Sequence, residues 1–185
     1  MANTNLKQRY KDEVIQQLRE KFDYKNPLEI PKLEKIVINM GMGEASMNVK
    51  YLDAGVKDLT MISGQKPIVT RAKKSIATFK IRTGMPVGAM VTLRGQRMYD
   101  FFQKLVCVAL PRIRDFRGLS LKGIDKQGNL TLGFKEHIVF PEIKSDEIER
   151  IHGLEISVTT DANDHAKGLE MFKLLGFPFQ KIISK

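Results

Sequence analysis

Residues 87–94 alternate between apolar and polar side chains, and this pattern constrains the fold more than any other feature of the chain. One set is apolar and comprises Val87, Ala89, Val91 and Leu93. The opposite set comprises Met90, Thr92 and Arg94. A strand with this two-residue period buries one face and leaves the other open. The sequence therefore predicts a sheet that helices cover on one face only.

The other segments mix helical and strand periodicities. Apolar residues recur at every fourth position from Leu6 to Phe22, which predicts a helix over 5–22 that ends before Pro27. Further helices are predicted between Gly43 and Gly64, over 96–110 with a stop at Pro111, and over 164–175. Ser145 is expected to cap a short acidic turn or helix. Strands are predicted over 35–40, 67–70, 87–94 and 154–159, and on both sides of a turn at 127–129, the second of them over 130–134.

Short connections between these mixed elements predict an α+β fold in a single domain over 1–185. The expected architecture is a largely antiparallel sheet with helices packed on one face. A long basic loop, residues 71–86, connects two of the strands.

Charge balance narrows the function. The chain has 185 residues and a net charge of +10, and its 42% hydrophobic content is enough for a packed core. The excess of positive charge predicts a polyanionic partner such as nucleic acid or an anionic membrane. No apolar run approaches the roughly 20 residues of a membrane-spanning helix. The one cysteine, Cys107, excludes an internal disulfide, predicts a reducing intracellular compartment and is expected to pack in or near the core.

A basic stretch between Asp58 and Asp100 carries most of this charge. It contains eight basic residues and no acid, namely Lys66, Arg71, Lys73, Lys74, Lys80, Arg82, Arg94 and Arg97. A solvated face is the ordinary interpretation, but unopposed like charges repel by about 0.3 kcal/mol per close pair. If half of these bases each neutralise a phosphate, the log–log salt slope of affinity is about −3. Phe79 in the loop either stacks on a base or anchors the loop.

Two further charged regions leave their roles open. Arg112, Arg114 and Arg117 form a second basic cluster, which is either functional or a solvated turn. Between residues 142 and 167 of the C-terminal third, seven acids outnumber Lys144, Arg150 and Lys167; the acids are Glu142, Asp146, Glu147, Glu149, Glu155, Asp161 and Asp164. They either keep the chain soluble or contact a basic protein on the side away from the nucleic acid.

Catalytic motifs are incomplete. Gly41 and Gly43 follow a strand and precede a helix, as in a dinucleotide site, but Ser46 stands where the third glycine belongs. The three histidines lack metal-ligand spacing, so no metal or cofactor is expected. A non-enzymatic binding protein is the preferred interpretation, and a nucleotide-dependent enzyme that uses the Gly41–Gly43 turn is the alternative.

Several sequence blocks resemble the bacterial L-five (L5) family of large-subunit ribosomal proteins, which binds 5S rRNA. The blocks run in order over nearly the whole chain: INMG at 38–41, SGQKP at 63–67, KIR at 80–82, VTLRG at 91–95, PRIRDFRG at 111–118, FPEI at 140–143 and GFPF at 176–179. The resemblance implies a cytoplasmic protein that holds 5S rRNA in the central protuberance of the large subunit. It implies contacts with P-site tRNA, with other large-subunit rRNA and proteins, and with a small-subunit head protein of the S-thirteen (S13) family, and none with a membrane.

The resemblance also assigns residues. Asn39, Gln65 and Thr92 match family positions that hydrogen-bond 5S rRNA, and Arg94 lies in the same block as Thr92. With the glycine turn and the nearest bases, the expected rRNA-binding residues are Asn39, Gly41, Gln65, Lys66, Arg71, Thr92, Arg94 and Arg97. The loop matches the segment that reaches tRNA, and its expected tRNA-binding residues are Lys73, Lys74, Phe79, Lys80, Arg82 and Met85. Relatives often carry an aromatic residue where this chain has Met85, and residues 180–185 extend past the usual end as an expected frayed tail.

Overall fold

The computed structural model describes residues 6–43, 49–114, 116–143 and 150–180. Its strands are β1 (Leu33–Gly41), β2 (Ile68–Arg71), β3 (Pro86–Leu93), β4 (Leu130–Phe134) and β5 (Leu154–Thr160). Its α-helices are α1 (Leu6–Arg9), α2 (Ile15–Phe22), α3 (Val49–Ser63), α4 (Gly95–Lys104) and α5 (His165–Leu174). The strands form one antiparallel sheet in the order β2-β3-β1-β5-β4. The predicted α+β fold is confirmed.

The chain divides into two compact units. The first comprises Met1–Ile36, Arg94–Thr131 and Ser157–Lys185, and the second comprises Val37–Leu93 and Leu132–Ile156. A single domain over 1–185 therefore stays a prediction. None of the described helices combines the length and the apolar character needed to cross a membrane.

In the first unit, the predicted N-terminal helix is confirmed as α1 and α2 joined by a π-helical turn, Tyr10–Val14. Its apolar stripe is buried because Leu6, Tyr10, Val14 and Leu18 recur on one side. The Tyr10 hydroxyl donates a hydrogen bond to the Pro31 carbonyl at 2.7 Å. Burial and the nearby Tyr99 raise the pKa of Tyr10. This bond ties the helix to the segment that leads into β1.

Aromatic side chains form the centre of the first unit. The rings of Phe102 and Phe177 meet edge to face, with centroids 4.8 Å apart, and Phe172 contacts Phe177 in the same way at 5.6 Å. All three rings are buried. Edge-to-face pairs add about 0.5–1.5 kcal/mol each beyond the burial of their area. The α4 helix and the segment after α5 are thereby packed together.

In the second unit, β2 and β3 form an antiparallel pair in which Ile68 lies opposite Met90 and Thr70 opposite Gly88. The alternation predicted for 87–94 is confirmed, since Ala89, Val91 and Leu93 are buried while Met90 and Thr92 are only partly buried. The α3 helix contacts β3 and, with Leu59 and Ile62, buries one side of the pair. The other side, here called the open side, carries Ile68, which is 70% exposed, and the partly buried Thr70 and Thr92.

Some expectations were wrong or fall outside the described residues. The segment before the turn at 127–129 is not a strand: it holds a 3-10 turn, Leu121–Gly123, and one isolated bridge between Ile124 and Leu130. The turn forms instead because Asp125 accepts the backbone N–H groups of Gln127 and Asn129. The acidic turn or helix that Ser145 was expected to cap and the tail beyond Gln180 lie outside the described residues.

Cys107 is exposed, which contradicts the expectation that it packs in or near the core. It does lie on a helical segment, since α4 continues as a π-helical turn, Leu105–Ala109, and a 3-10 turn, Leu110–Arg112. Leu105 and Ala109 are its buried residues. Cys107 is two residues from each of them, about half a helical turn away, so it points to the opposite side.

Candidate nucleic-acid interface

The open side of the second unit carries polar and apolar side chains together. Asn39 on β1 and Thr92 on β3 are partly buried, so their backbones are fixed by the sheet while their side chains remain accessible. Ile68 on β2 is 70% exposed and lies opposite Met90. A surface of amide, hydroxyl and apolar groups on a rigid sheet can contact both the backbone and the bases of a nucleic acid.

Gln65 is positioned by two hydrogen bonds, one from its side chain and one from its backbone. Its side-chain Nε2 donates to the carbonyl oxygen of Thr92 at 3.2 Å. Its backbone N–H donates to the Ser63 Oγ at 3.2 Å, and Ser63 Oγ donates in turn to the Leu59 carbonyl of α3. Two of the residues assigned by resemblance are thus brought into direct contact at the end of β3.

In the part of the chain that the structure describes, the Gly41–Gly43 turn joins the end of β1 to β3 by a backbone hydrogen bond. Gly41 ends β1 and is exposed, whereas Met42 is buried and its N–H donates to the Val87 carbonyl at 2.9 Å. A cleft of about 200 Å³ next to the turn is lined by Tyr51 and Arg150 among others. Small-molecule sites usually measure about 300–1,000 Å³. This cleft is small for a dinucleotide, which counts against the enzymatic alternative.

The predicted basic loop is an ordered hairpin extension, here called the basic arm (residues 72–85). Ala72 and Gly84–Met85 exchange backbone hydrogen bonds at its base, both of 2.9 Å. Ile76 and Ile81 pair across its middle with bonds of 2.9 and 3.2 Å. A 3-10 turn, Ala77–Phe79, closes the tip. The arm therefore continues the β2–β3 pair beyond the sheet.

Side chains reinforce the arm from its two edges. The Ser75 and Thr83 hydroxyls lie 3.1 Å apart, and the Thr83 N–H donates to Ser75 Oγ at 2.9 Å. Arg71 donates from Nη1 to the Gly84 carbonyl at 2.9 Å, so its guanidinium is partly engaged in holding the arm. This hydroxyl pair was not predicted from the sequence, although Ser75 and Thr83 are placed almost symmetrically about the tip.

The arm displays its charge without internal neutralisation. Its four bases, Lys73, Lys74, Lys80 and Arg82, are exposed and form no ion pair with a described residue. Phe79 is 66% exposed at the tip, so the interpretation that it anchors the loop is wrong. Met85 is partly buried, and its sulfur accepts the Arg82 N–H at 3.1 Å. Exposed lysine and arginine side chains beside an accessible aromatic ring are the groups with which proteins bind single-stranded RNA.

The remaining predicted bases lie outside the arm. Lys66 precedes β2 in the second unit and is exposed. Arg94 and Arg97 belong to the first unit and are also exposed. Arg94 stands at the N-terminal boundary of α4 with an extended backbone (φ −139°, ψ 165°), which continues the direction of a strand for one residue. All three side chains reach solvent.

Among the C-terminal acids, Glu142, Asp161 and Asp164 interact with other residues of the chain. Asp161 accepts the Lys32 backbone N–H at 2.6 Å and lies 3.6 Å from its ammonium. Asp164 begins α5 by accepting the Ala166 N–H at 3.2 Å. Glu155 is exposed on β5. Asp146, Glu147 and Glu149 lie outside the described residues.

The described histidines form no metal site. No group of three potential ligands converges in the part of the chain that the structure describes. His137 is fully buried in the second unit, where its Nδ1 accepts the His152 N–H at 3.0 Å. Its Nε2 lies 3.4 Å from Asp58 Oδ2 but lacks hydrogen-bond geometry. This cluster holds His137 and His152 together beside α3.

Two family models match most of the chain between residues 26 and 179. A model described as ribosomal protein L5 matches residues 26–82, and one for the C-terminus of the same ribosomal family matches residues 86–179. The two matches meet within the basic arm, between residues 82 and 86.

Individual relatives of the chain carry the name of the same ribosomal protein family. The chain is 57% identical over 176 residues to the large ribosomal subunit protein uL5 of Oceanobacillus iheyensis, an alignment that covers 95% of this chain and 98% of the relative. It is 55% identical over 177 residues to the proteins of that name from Desulforapulum autotrophicum and Desulfosudis oleivorans, covering 96% of this chain and 99% of each relative.

Proposed function

Because this chain belongs to the ribosomal protein L5 family, we propose that it binds 5S rRNA and attaches it to the central protuberance of the large ribosomal subunit. Membership makes the chain a structural constituent of the large subunit, located in the ribosome of the bacterial cytoplasm. Its relatives are named as ribosomal proteins and not as enzymes, so the nucleotide-dependent alternative is set aside.

The open sheet side of the second unit is the proposed site for 5S rRNA, and the observation that carries it is the Gln65–Thr92 contact. Gln65 donates an amide hydrogen to the Thr92 carbonyl, which fixes the orientation of the whole amide group, including its carbonyl oxygen. Thr92 adds a hydroxyl and Asn39 an amide. These groups are placed by backbone pairing before RNA arrives, so little entropy is lost on binding.

Basic residues supply most of the proposed affinity. Lys66, Arg71, Arg94 and Arg97 provide phosphate contacts, and exposed Gly41 allows an RNA backbone to come close to the protein backbone. Such contacts fix the register of the RNA, whereas the amides and the hydroxyl distinguish its shape. RNA bases are accessible mainly where the strand is not in a regular helix. A non-helical part of 5S rRNA is therefore the expected target.

The basic arm is proposed to contact P-site tRNA. The arm extends beyond the β2–β3 pair and carries four exposed basic side chains, with Phe79 at its tip. Ring stacking on a base contributes about 1–3 kcal/mol. Phe79 would supply this contact, because Met85 is partly buried and engaged with Arg82.

A bridge to a small-subunit head protein of the S13 family is proposed for the acidic C-terminal third. Asp161 and Asp164 already accept backbone hydrogen bonds, from Lys32 and Ala166 respectively. Glu155 and the acids at 146, 147 and 149 remain as the residues through which a basic protein would be attracted.

Footprinting of 5S rRNA with and without the full chain tests the main proposal. A defined set of non-helical nucleotides should be protected, and no protection at micromolar protein would contradict it. The arm is tested by a variant in which residues 73–84 are replaced by Asn-Gly, a two-residue hairpin turn that keeps Ala72 next to Met85. This variant should retain 5S rRNA binding and lose tRNA contact in assembled ribosomes. Equal loss of both would contradict the division of roles.

A further inference from the structure

We propose that Arg71 is a positioning residue that couples the two proposed RNA sites: a 5S rRNA phosphate bound at Arg71 holds the basic arm in its closed hairpin form. Arg71 ends β2, where the sheet of the second unit meets the arm. The inference rests on the proposed function and adds a regulation of the arm to it. The arm spends more of its time in the form proposed to contact tRNA once 5S rRNA is bound.

The β2–β3 ladder is interrupted where the arm begins. The strand register shifts between Thr70 and Arg71, so that Thr70 lies opposite Gly88 whereas Arg71 lies opposite Pro86. Proline has no backbone N–H, so Pro86 cannot donate a ladder hydrogen bond to β2. A register shift of this kind bends the strand and changes the direction of the side chains beside it. The hydrogen bonding of the sheet therefore does not continue evenly into the arm.

The arm beyond this interruption is weakly held. None of residues 71–87 is buried, so no core packing resists its opening. Its backbone hydrogen bonds, which join Ala72 to Met85 and Ile76 to Ile81, lie in an exposed hairpin. Segments held by exposed hydrogen bonds without buried contacts open locally at a small cost in free energy. The arm therefore has two accessible states, a closed hairpin and a frayed form.

The Arg71 side chain reaches across the interruption. Its Nη1 donates to the Gly84 carbonyl at 2.9 Å, 13 residues away in the chain. Gly84 has a φ of +87°, a conformation that glycine adopts without strain, and its own N–H donates to the Ala72 carbonyl at 2.9 Å. Both bonds require that the returning strand of the arm lies beside its outgoing strand. The Arg71–Gly84 bond therefore forms only in the closed hairpin.

A guanidinium can bind the arm and a phosphate at the same time. It carries five N–H donors in a planar fork, and among the described residues the Arg71 side chain is hydrogen-bonded only to Gly84, through Nη1. Arg71 is exposed, and the sequence has no acid between Asp58 and Asp100 that would compete for its charge. The remaining edge of the guanidinium is suited to two parallel hydrogen bonds with phosphate oxygens.

Phosphate binding makes closure of the arm more favourable. Without RNA, the long Arg71 side chain loses rotamer freedom each time it forms the bond to Gly84. A phosphate that already fixes the guanidinium removes this entropic loss, so the bond to Gly84 forms more readily. Because such a coupling is reciprocal, an arm that is held closed also favours binding of the phosphate.

Hydrogen–deuterium exchange of the full chain with and without 5S rRNA tests the coupling. Peptides within residues 72–85 report on opening of the arm, and Ile76 lies roughly 17 Å beyond Arg71 along an extended strand. We expect saturating 5S rRNA to slow exchange in these peptides at least fivefold. Filter binding of the same samples measures how much 5S rRNA is bound. Unchanged exchange with 5S rRNA bound would overturn the coupling and leave the proposed function intact.

Arg71→Lys separates charge from geometry. Lysine keeps the positive charge but lacks the planar fork, so it cannot hold the Gly84 carbonyl and a phosphate in one fixed arrangement. This variant should keep most of its 5S rRNA affinity, whereas saturating RNA should slow exchange in the arm less than twofold. Slowing as large as in the wild type would overturn the role of Arg71, because the RNA would then cover the arm directly. Faster exchange without RNA, together with wild-type slowing by RNA, would reduce Arg71 to a structural residue.

Lys66→Ala is the matched control, because Lys66 is an exposed phosphate contact of the same proposed site and is not bonded to the arm in the described residues. Arg71→Ala and Lys66→Ala should each lower the salt slope of 5S rRNA binding by about 0.9. At saturating 5S rRNA, exchange in the arm should still slow at least fivefold in Lys66→Ala and not in Arg71→Ala. Loss of the slowing in both variants would overturn the specific role of Arg71. If the wild-type chain fails to bind 5S rRNA in the filter assay, both proposals fail.

Discussion

The side-chain Nε2 of Gln65 donates a hydrogen bond to the backbone carbonyl of Thr92, 27 residues away in the chain, at 3.2 Å. This bond joins the segment after α3 to the end of β3. It places two of the polar groups proposed to contact 5S rRNA in one arrangement, and links the stability of this part of the second unit to its proposed binding role.

Gln65→Glu should weaken 5S rRNA binding about tenfold. A carboxylate cannot donate to the Thr92 carbonyl, and a negative charge about 4 Å from a phosphate costs about 1 kcal/mol in water. Gln65→Ala should lower the free energy of unfolding by about 1 kcal/mol and weaken binding less. Filter binding and urea unfolding measure the two effects. Gln127→Glu makes the same change on an exposed turn of the first unit and should alter neither. Unchanged RNA affinity in Gln65→Glu would contradict the proposed site.

Arg94→Ala should reduce 5S rRNA affinity severalfold and lower the salt slope by about 0.9, the value for one phosphate contact. The fold should survive, because Arg94 is exposed and forms no hydrogen bond or ion pair with a described residue. Its unfolding free energy should therefore stay within about 0.5 kcal/mol of the wild type. Arg19→Ala, on the exposed side of α2, is the matched control. Loss of the circular dichroism signal in Arg94→Ala would make Arg94 a structural residue.

Gly88→Ala should destabilise the second unit by about 1–3 kcal/mol, the usual cost of overpacking. A Cβ at this position would lie 2.5 Å from the Met40 carbonyl oxygen and 3.2 Å from Thr70 Oγ1. Gly133→Ala on β4 is the control, since its Cβ would meet nothing within 4 Å. Urea unfolding should separate the two variants, and indistinguishable midpoints would refute the close approach of β1 and β3 at Gly88.

His137→Ala should cost about 2–4 kcal/mol of unfolding free energy. The substitution removes the acceptor of the His152 N–H and opens a cavity at a fully buried position. His137→Asn should recover part of the loss, because its side-chain oxygen can accept the same N–H. A loss that Asn does not reduce would show that packing alone, and not the Nδ1 hydrogen bond, makes His137 necessary.

Stability should fall in acid partly through Asp125. Burial raises the pKa of this carboxyl, but hydrogen bonds from the Asn129 side chain and from the backbone of Asn129, Gln127 and Gly128 together outweigh burial and lower it. A folded-state pKa below the unfolded value stabilises the protein above the unfolded pKa, about 3.9 for aspartate, and this contribution is lost as pH falls through the folded value. The stability difference between the wild type and Asp125→Asn should therefore shrink below about pH 4. A difference that does not change with pH would exclude this role.

Local periodicity made much of the fold predictable. The alternation at 87–94 and the apolar stripe at 6–22 each depend only on side chains a few residues apart, and both elements form as expected. The expectation that Cys107 packs in or near the core was wrong, although the same periodicity places Cys107 opposite Leu105 and Ala109, the buried residues of its helix. The missing strand before the turn at 127–129 shows where periodicity fails. At this turn the Asp125 side chain accepts hydrogen bonds from the backbone N–H groups of Gln127 and Asn129. These local hydrogen bonds compete with the backbone pairing of a strand.

Long-range pairing could not be predicted from the sequence. Nothing near Gln65 indicates that its side chain meets Thr92, because the contact depends on how α3 and β3 pack. The arm has no apolar period, so its internal pairing of Ile76 with Ile81 was invisible, and so was the exposure of Phe79. The residue assignments themselves came from resemblance, and the charge pattern indicated only a polyanion.

The basic arm holds its shape without contributing to a core, since none of residues 71–87 is buried. Substitutions on its surface therefore escape the stability threshold that restricts changes elsewhere in the chain. Selection would then act on the arm only through the RNA contact proposed for it. Such a segment can acquire a new charge pattern or a different tip residue in a single mutation, so recognition can diverge between lineages while the fold that carries it stays the same.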